Sequence, residues 1–111
     1  MIDKNVSMVW ADAAQIDDRD AFVSDWGLSS IWGDPEEITD EQVAEHTTYA
    51  GRIWDAAHMS ARELVARSGL TQAAFAERYC IGGSTVEAWC RGTRTPPEYA
   101  KLLLAQDLGL L

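Results

Sequence analysis

Apolar positions recur at helical spacing through the second half of the chain and far less regularly in the first. The clearest stripe is Val43, His46, Ala50, Ile53, Trp54 and Ala57, within TDEQVAEHTTYAGRIWDAAHM. Its i, i+3, i+4 spacing predicts one long helix with a single inward face. Thr39 is the expected N-cap, and Gln42, three residues on, completes a capping box. Asp40 and Glu41 fall in the first turn, where the helix dipole favours carboxylates. Gly51 marks either a close helix contact or a break.

Shorter patterns flank this segment. Asp18 to Trp32 places Phe22, Val23, Trp26 and Leu28 at near-helical spacing, punctuated by Gly27 and Gly33. GDPEEI then reads as a loop, because Pro35 biases the residue before it away from helix. SARELVARSG opens on Ser60 and Glu63, again at capping-box spacing, turns Leu64 and Val65 inward and stops at Gly69. TQAAFAERYC is capped by Thr71 and turns Phe75, Ala76 and Tyr79 inward. STVEAWCRG repeats the capping spacing at Ser84 and Glu87, buries Val86, Trp89 and Cys90, and ends at Gly92. TPPEYAKLLLAQDLGLL starts a last helix with proline at its first position, where the missing N–H would be unpaired anyway. Its expected apolar face is Tyr99, Leu103 and Leu104. Residues 1–18 mix apolar and acidic residues without clear period and read as an arm or irregular segment. No alternating strand pattern occurs, so the expected class is all-α.

Composition narrows the function classes. The chain of 111 residues is 47% hydrophobic, enough for one domain with a real core. No apolar run approaches the roughly 20 residues that span a bilayer. The N-terminus lacks a basic start followed by a sustained apolar stretch. The expectations are therefore no membrane association and a cytoplasmic location. Cys80 and Cys90 lie inside the apolar pattern and read as small buried apolar residues, with a disulfide between them as the alternative. Neither the cysteines nor His46 and His58 have zinc-ligand spacing. GGST lacks the lysine of a phosphate loop, and no nucleophile elbow is present. No enzyme activity, metal or cofactor is expected. Of the five tryptophans, Trp26, Trp32, Trp54 and Trp89 are expected in the core. Trp10 is expected at a surface or subunit interface.

Charge is uneven. Residues 1–50 hold two basic and twelve acidic residues, for −10, whereas residues 51–111 hold seven basic and six acidic, for +1. Phosphates repel the front half, so any DNA contact must come from the back half.

LTQAAFAERYCIGGSTVEAWCRGTRTPP runs from Leu70 to Pro97. It resembles, without gaps, the helix-turn-helix of the phage-repressor and Cro-type (XRE-like) family. The resemblance rests on Leu70, Thr71, Gln72, Phe75, Ala76, Ile81, Ser84, Thr85, Val86, Trp89, Gly92 and the pair Pro96-Pro97. With its flanking helices it reaches from about Ser60 to Leu108. It implies a lambda-repressor-like helical domain over residues 39–111 and an acidic N-terminal helical extension over residues 1–38. It also implies a bacterial or mobile-element transcriptional regulator that binds double-stranded DNA as a homodimer, on half-sites about one helical turn apart. Helix 84–91 would enter the major groove. Thr71 and Gln72 would contact phosphate, and the face from Gly82 and Gly83 through Ser84, Thr85, Glu87 and Ala88 would meet base edges. Arg91 and Arg94 would reach phosphates, with Arg78 nearby.

The departures from the family pattern motivate a second reading. Gly82, Gly83 and Ala88 stand where the family often has polar or basic residues, and Cys80 replaces the usual turn glycine. A non-glycine residue there is expected to adopt a left-handed backbone. In the second reading the scaffold has lost DNA reading and acts as an acidic protein-interaction or DNA-mimic module. Its protein partner would bind through the acidic N-terminal half. The surroundings of Arg78, Arg91 and Arg94 discriminate: a basic strip favours DNA, an acidic face favours the alternative.

Overall fold

The structure is a computed structural model that describes residues 4–29, 32–33 and 36–111. Pro35, expected to shape the loop after Gly33, lies outside the described residues. The fold is all-α. Its helices are α1 (Lys4–Ala13), α2 (Arg19–Gly27), α3 (Asp40–Ala57), α4 (Ala61–Ser68), α5 (Gln72–Arg78), α6 (Gly83–Arg91) and α7 (Glu98–Asp107). No strand occurs among the described residues. No helix among them is long and apolar enough to cross a membrane.

Short polar side chains start most of these helices, as their spacing predicts. The Ala21 N–H donates to Asp18 at 3.1 Å, and the Ala74 N–H to Thr71 at 3.1 Å. The capping box of α3 is complete. The Gln42 N–H donates to Thr39 Oγ1 at 3.1 Å, and the Thr39 N–H to Gln42 Oε1 at 3.0 Å. Only half of the box expected at α4 forms: the Glu63 N–H donates to Ser60 Oγ, while the Glu63 carboxylate pairs with Arg67 at 3.2 Å. The third box does not form. Gly82 is the N-cap of α6 and makes no side-chain cap, because the helix begins two residues earlier than a Ser84 cap would start it. Similarly, Pro97 is the N-cap of α7 rather than its first residue.

The chain divides into two compact units, Met1–His58 together with Leu110–Leu111, and Met59–Gly109. The boundary expected at residue 38 assigns α3 to the back half. Its packing partners are α2 and α1, so α3 falls in the front unit. That unit carries three basic and thirteen acidic residues, for −10; the second carries six and five, for +1.

In the first unit, residues 4–13 are helical rather than irregular. Val6, Val9, Trp10 and Ala13 stand at i, i+3, i+4 and i+7, and all are buried. Met8 and Ala11, apolar but exposed, blur that stripe in the sequence. Trp10 is only 2% exposed, which reverses its expected surface role. The tryptophans expected in the core are each half-buried instead. For Trp26, Trp32 and Trp54 the reason lies in the indole N–H, which needs an acceptor. Trp26 donates to Asp12 Oδ2 at 2.7 Å, Trp54 to the Ile16 carbonyl at 2.9 Å, and Trp32 to the Trp26 carbonyl. Phe22, Ile53 and Val9 fill the interior. Gly27 meets α3 so closely that a Cβ there would overlap the Thr47 hydroxyl. Gly51 marks a contact and not a break, since α3 runs unbroken past it and the Arg19 guanidinium lies over it. Arg19 then pairs with Asp55 at 2.8 Å.

In the second unit, Val65, Phe75, Ala76, Val86 and Leu104 form the core, with Leu70, Tyr79, Ile81, Trp89 and Cys90 packed against it. The inward face of α7 is Lys101, Leu102, Leu104 and Ala105, whereas Tyr99 and Leu103 are 70% and 53% exposed. Lys101 hides this face from an apolar count, because its long apolar stem buries while its charge reads as surface. Cys80 is exposed and Cys90 half-buried, and both are free thiols.

Burial of Trp10 makes α1 part of the first core rather than a loose arm. Trp10→Ala is expected to cost about 3–5 kcal/mol in urea denaturation of the full chain. A loss below about 1 kcal/mol, the usual range of surface changes, would restore the arm reading.

Candidate nucleic-acid interface

Neither α5 nor α6 is long enough to stand alone; isolated helices shorter than about 12 residues are marginal in water. Phe75 and Ala76 from α5 and Val86 from α6 therefore share one core with Val65 and Leu104. The connection between them is sharply defined. Tyr79 closes α5, and Cys80 turns left-handed at φ 54°. The Ile81 N–H donates to the Ala76 carbonyl at 2.9 Å, and the Cys80 N–H to the Glu77 carbonyl at 3.3 Å. This paired pattern is the Schellman closure, which normally uses glycine at the left-handed position. Ile81 then packs back on the core, as that closure requires. Cys80 is the one non-glycine residue with positive φ among those described. The expected left-handed strain is present, and the surface position of Cys80 replaces its expected burial. The same closure ends α6, where Gly92 at φ 80° passes the Thr93 N–H to the Ala88 carbonyl at 3.0 Å.

The structure sorts the predicted contact residues. Thr71, Gln72, Arg78, Gly82, Gly83, Ser84, Glu87, Arg91 and Arg94 are exposed. Gly83, Ser84, Glu87 and Arg91 are spaced at i, i+1, i+4 and i+8 and form the solvent face of α6. Thr85 is half-buried. Ala88 is buried at 9% exposure, so it faces the core and offers nothing to a base edge. The helical period excludes it from the outer face once Val86 points inward. Nothing lies within 4 Å of where a Gly83 Cβ would be, so the glycine leaves open space beside the uncapped N-terminus of α6.

The three arginines are not equivalent. Arg78 lies over the Tyr79 ring, 5.5 Å from its centroid, and reaches Asp107 at 3.5 Å. Tyr79 donates its hydroxyl to the same Asp107 carboxylate at 2.7 Å. The Tyr79 hydroxyl, and after it the Arg78 guanidinium, hold the Asp107 carboxyl below its ordinary range. Arg91 pairs with Glu87 at 3.5 Å, one turn apart on α6. Exposed pairs of that kind contribute about 0.3–0.5 kcal/mol, whereas a hydrogen bond to a charged group contributes about 1.5–3. A phosphate can therefore draw Arg91 away from Glu87. Arg94 makes no hydrogen bond or ion pair among the described residues.

Beside α6 runs an apolar groove of about 700 Å³, lined by Ile81, Thr85, Trp89, Tyr99 and Leu103 with Arg94 at its edge. Thr85 faces this groove. The sequence pattern missed the groove because it placed Tyr99 and Leu103 in the core. Their i, i+4 spacing, one step off the buried face, is the signal that locates it. No cluster of three or more potential metal ligands occurs among the described residues. Comparison with protein-family models, curated proteins and solved structures finds no match for the chain.

Two measurements check this geometry. Cys80→Gly removes a left-handed side chain and is expected to raise stability by about 1 kcal/mol; a loss would mean that the thiol makes a contact that outweighs the strain. Depression of the Asp107 pKa stabilises the fold above the unfolded carboxylate range, and that contribution disappears as pH falls through the folded value. Asp107→Asn is therefore expected to lower the urea midpoint at neutral pH and to converge with the unaltered chain in strong acid. A pH-independent gap would show that Asp107 does not titrate against Tyr79 and Arg78.

Proposed function

We propose that the α4–α7 unit is a DNA-binding module of the repressor-like helix-turn-helix kind and that it regulates transcription of a bacterial or mobile-element gene. The observation that carries this reading is the exposed end of α6. Its N-terminus has no side-chain cap, Gly82 and Gly83 leave its backbone N–H groups approachable, and Arg94 beyond its other end makes no ion pair among the described residues. Backbone N–H groups at a helix N-terminus are suited to phosphate, and guanidiniums to further phosphates. Ser84 and Glu87 remain to meet bases, Glu87 by accepting from a cytosine amino group. Thr71 and Gln72, at the start of α5, add phosphate contacts.

In this reading the protein works as a two-fold dimer. A two-fold contact requires one patch to be complementary to itself. Tyr99 and Leu103, exposed on α7, line the apolar groove of the same unit, and this exposed apolar surface is the patch on which two copies would meet. With a net +1 on this unit and few phosphate contacts, binding should be modest and only moderately salt-dependent.

A specific observation favours the second reading, a scaffold that binds protein rather than DNA. Arg78 and Arg91 are both matched by carboxylates, and the front unit carries −10. That unit would then serve as the acidic partner-binding face.

Selection from a random duplex pool, followed by mobility shift with the full chain, decides between the two. Enrichment of an inverted repeat is expected, with Arg94→Ala weakening binding to all sequences and lowering the salt slope by about 1. Leu103→Glu is expected to leave a monomer in sedimentation and to weaken binding to the paired site. Absence of any duplex binding at low salt would remove the DNA reading and leave the scaffold reading.

A further inference from the structure

The apolar groove of the second unit has the make-up of a small-molecule site. Its volume is about 700 Å³. Ligand pockets span roughly 300–1,000 Å³, are mostly apolar and carry a few polar groups that fix orientation. Trp89 from α6 and Tyr99 from α7 bring two aromatic rings to the lining, with Ile81 and Leu103 as aliphatic neighbours. Arg94 is the one charged residue among the described residues that line it, and no carboxylate does. We propose that this groove binds a small aromatic carboxylate, with its rings against Trp89 and Tyr99 and its charge on Arg94.

The lining selects that class. A sugar-like ligand would turn its hydroxyls toward Ile81, Trp89 and Leu103, where nothing replaces their lost water. A flat ring gains stacked or edge contacts with aromatic side chains beyond the area it buries. The guanidinium fork matches a carboxylate through two parallel hydrogen bonds. Arg94 makes no ion pair among the described residues, so it has no protein carboxylate to give up first. One guanidinium balances one negative charge. A phosphate monoester, with about −1.5 to −2 at neutral pH, would keep charge uncompensated against an apolar wall.

The groove is also the patch on which two copies would meet, so the carboxylate and a second copy compete for it. That regulatory consequence rests on the dimer reading; the ligand site does not. In the test, naphthoate is titrated into the full-length ¹⁵N-labelled chain, with the uncharged naphthamide as the control. Saturable shifts of the Trp89 indole and of the Thr85 and Leu103 amides are expected, with naphthoate binding the tighter. Arg94→Gln, on an exposed residue, is expected to weaken naphthoate roughly tenfold or more and to leave naphthamide unchanged. Leu103→Ala, also on an exposed residue, is expected to weaken both. Linear shifts without saturation, equal affinity for acid and amide, or undiminished binding by both variants would overturn the proposal. So would shifts of the same signals that follow chain concentration and ignore naphthoate, which would give the groove to a second copy alone. Sedimentation with and without naphthoate separates the two readings. Release of monomer is expected, and a dimer unmoved by saturating naphthoate would overturn the competition. A monomer throughout would remove the dimer reading, while the titration still decides the ligand site.

Discussion

The hydrogen bond from the Ile81 N–H to the Ala76 carbonyl governs the second unit. It ends α5, forces Cys80 into the left-handed region and returns Ile81 to the core. The direction in which α6 leaves α5 follows from it. Only with that direction fixed can Val86 join Phe75 and Ala76 inside while Ser84, Glu87 and Arg91 stay outside. The strain at Cys80, on the order of 1–2 kcal/mol, is small beside the burial of Phe75 and Val86 that the turn permits. A left-handed cysteine is therefore tolerated where glycine would fit with less strain.

Much of this was legible in the residues. Thr39, Ser60 and Thr71 cap helices as their side chains predict, and Gly69 and Gly92 end helices at positive φ. The α3 stripe and the Phe75, Ala76 and Val86 core follow from spacing alone. What escaped has physical reasons. The α1 stripe has one apolar residue per turn position and two exposed apolar neighbours, so its period is weak. The α7 face was misplaced by one step because a lysine lies on its inward side. Of the predicted contact set, Ala88 fell out because a pattern of family positions ignores the helical period, and Thr85 turned towards the groove. Capping at Ser84 failed because a glycine pair can start a helix without a side-chain acceptor.

The two units divide the chemistry as well as the chain. All the excess negative charge is in the first, whose core is held by apolar packing and indole donors. Arg19 and Asp55 bridge α2 and α3, and both are exposed. Self-repulsion among thirteen carboxylates is therefore balanced by Phe22, Ile53, Val9 and Trp10. The second unit is close to neutral, and the three arginines near α6 differ: Arg78 is stacked and bridged, Arg91 is weakly bridged, and Arg94 makes no ion pair among the described residues.

The placement of the indoles has a spectroscopic consequence. Trp10, Trp26, Trp32 and Trp54 lie in the first unit and Trp89 alone in the second. Intrinsic emission from the intact chain is therefore a readout weighted four to one toward the acidic unit. Melting of the other unit would register mainly through a single chromophore at the wall of its groove.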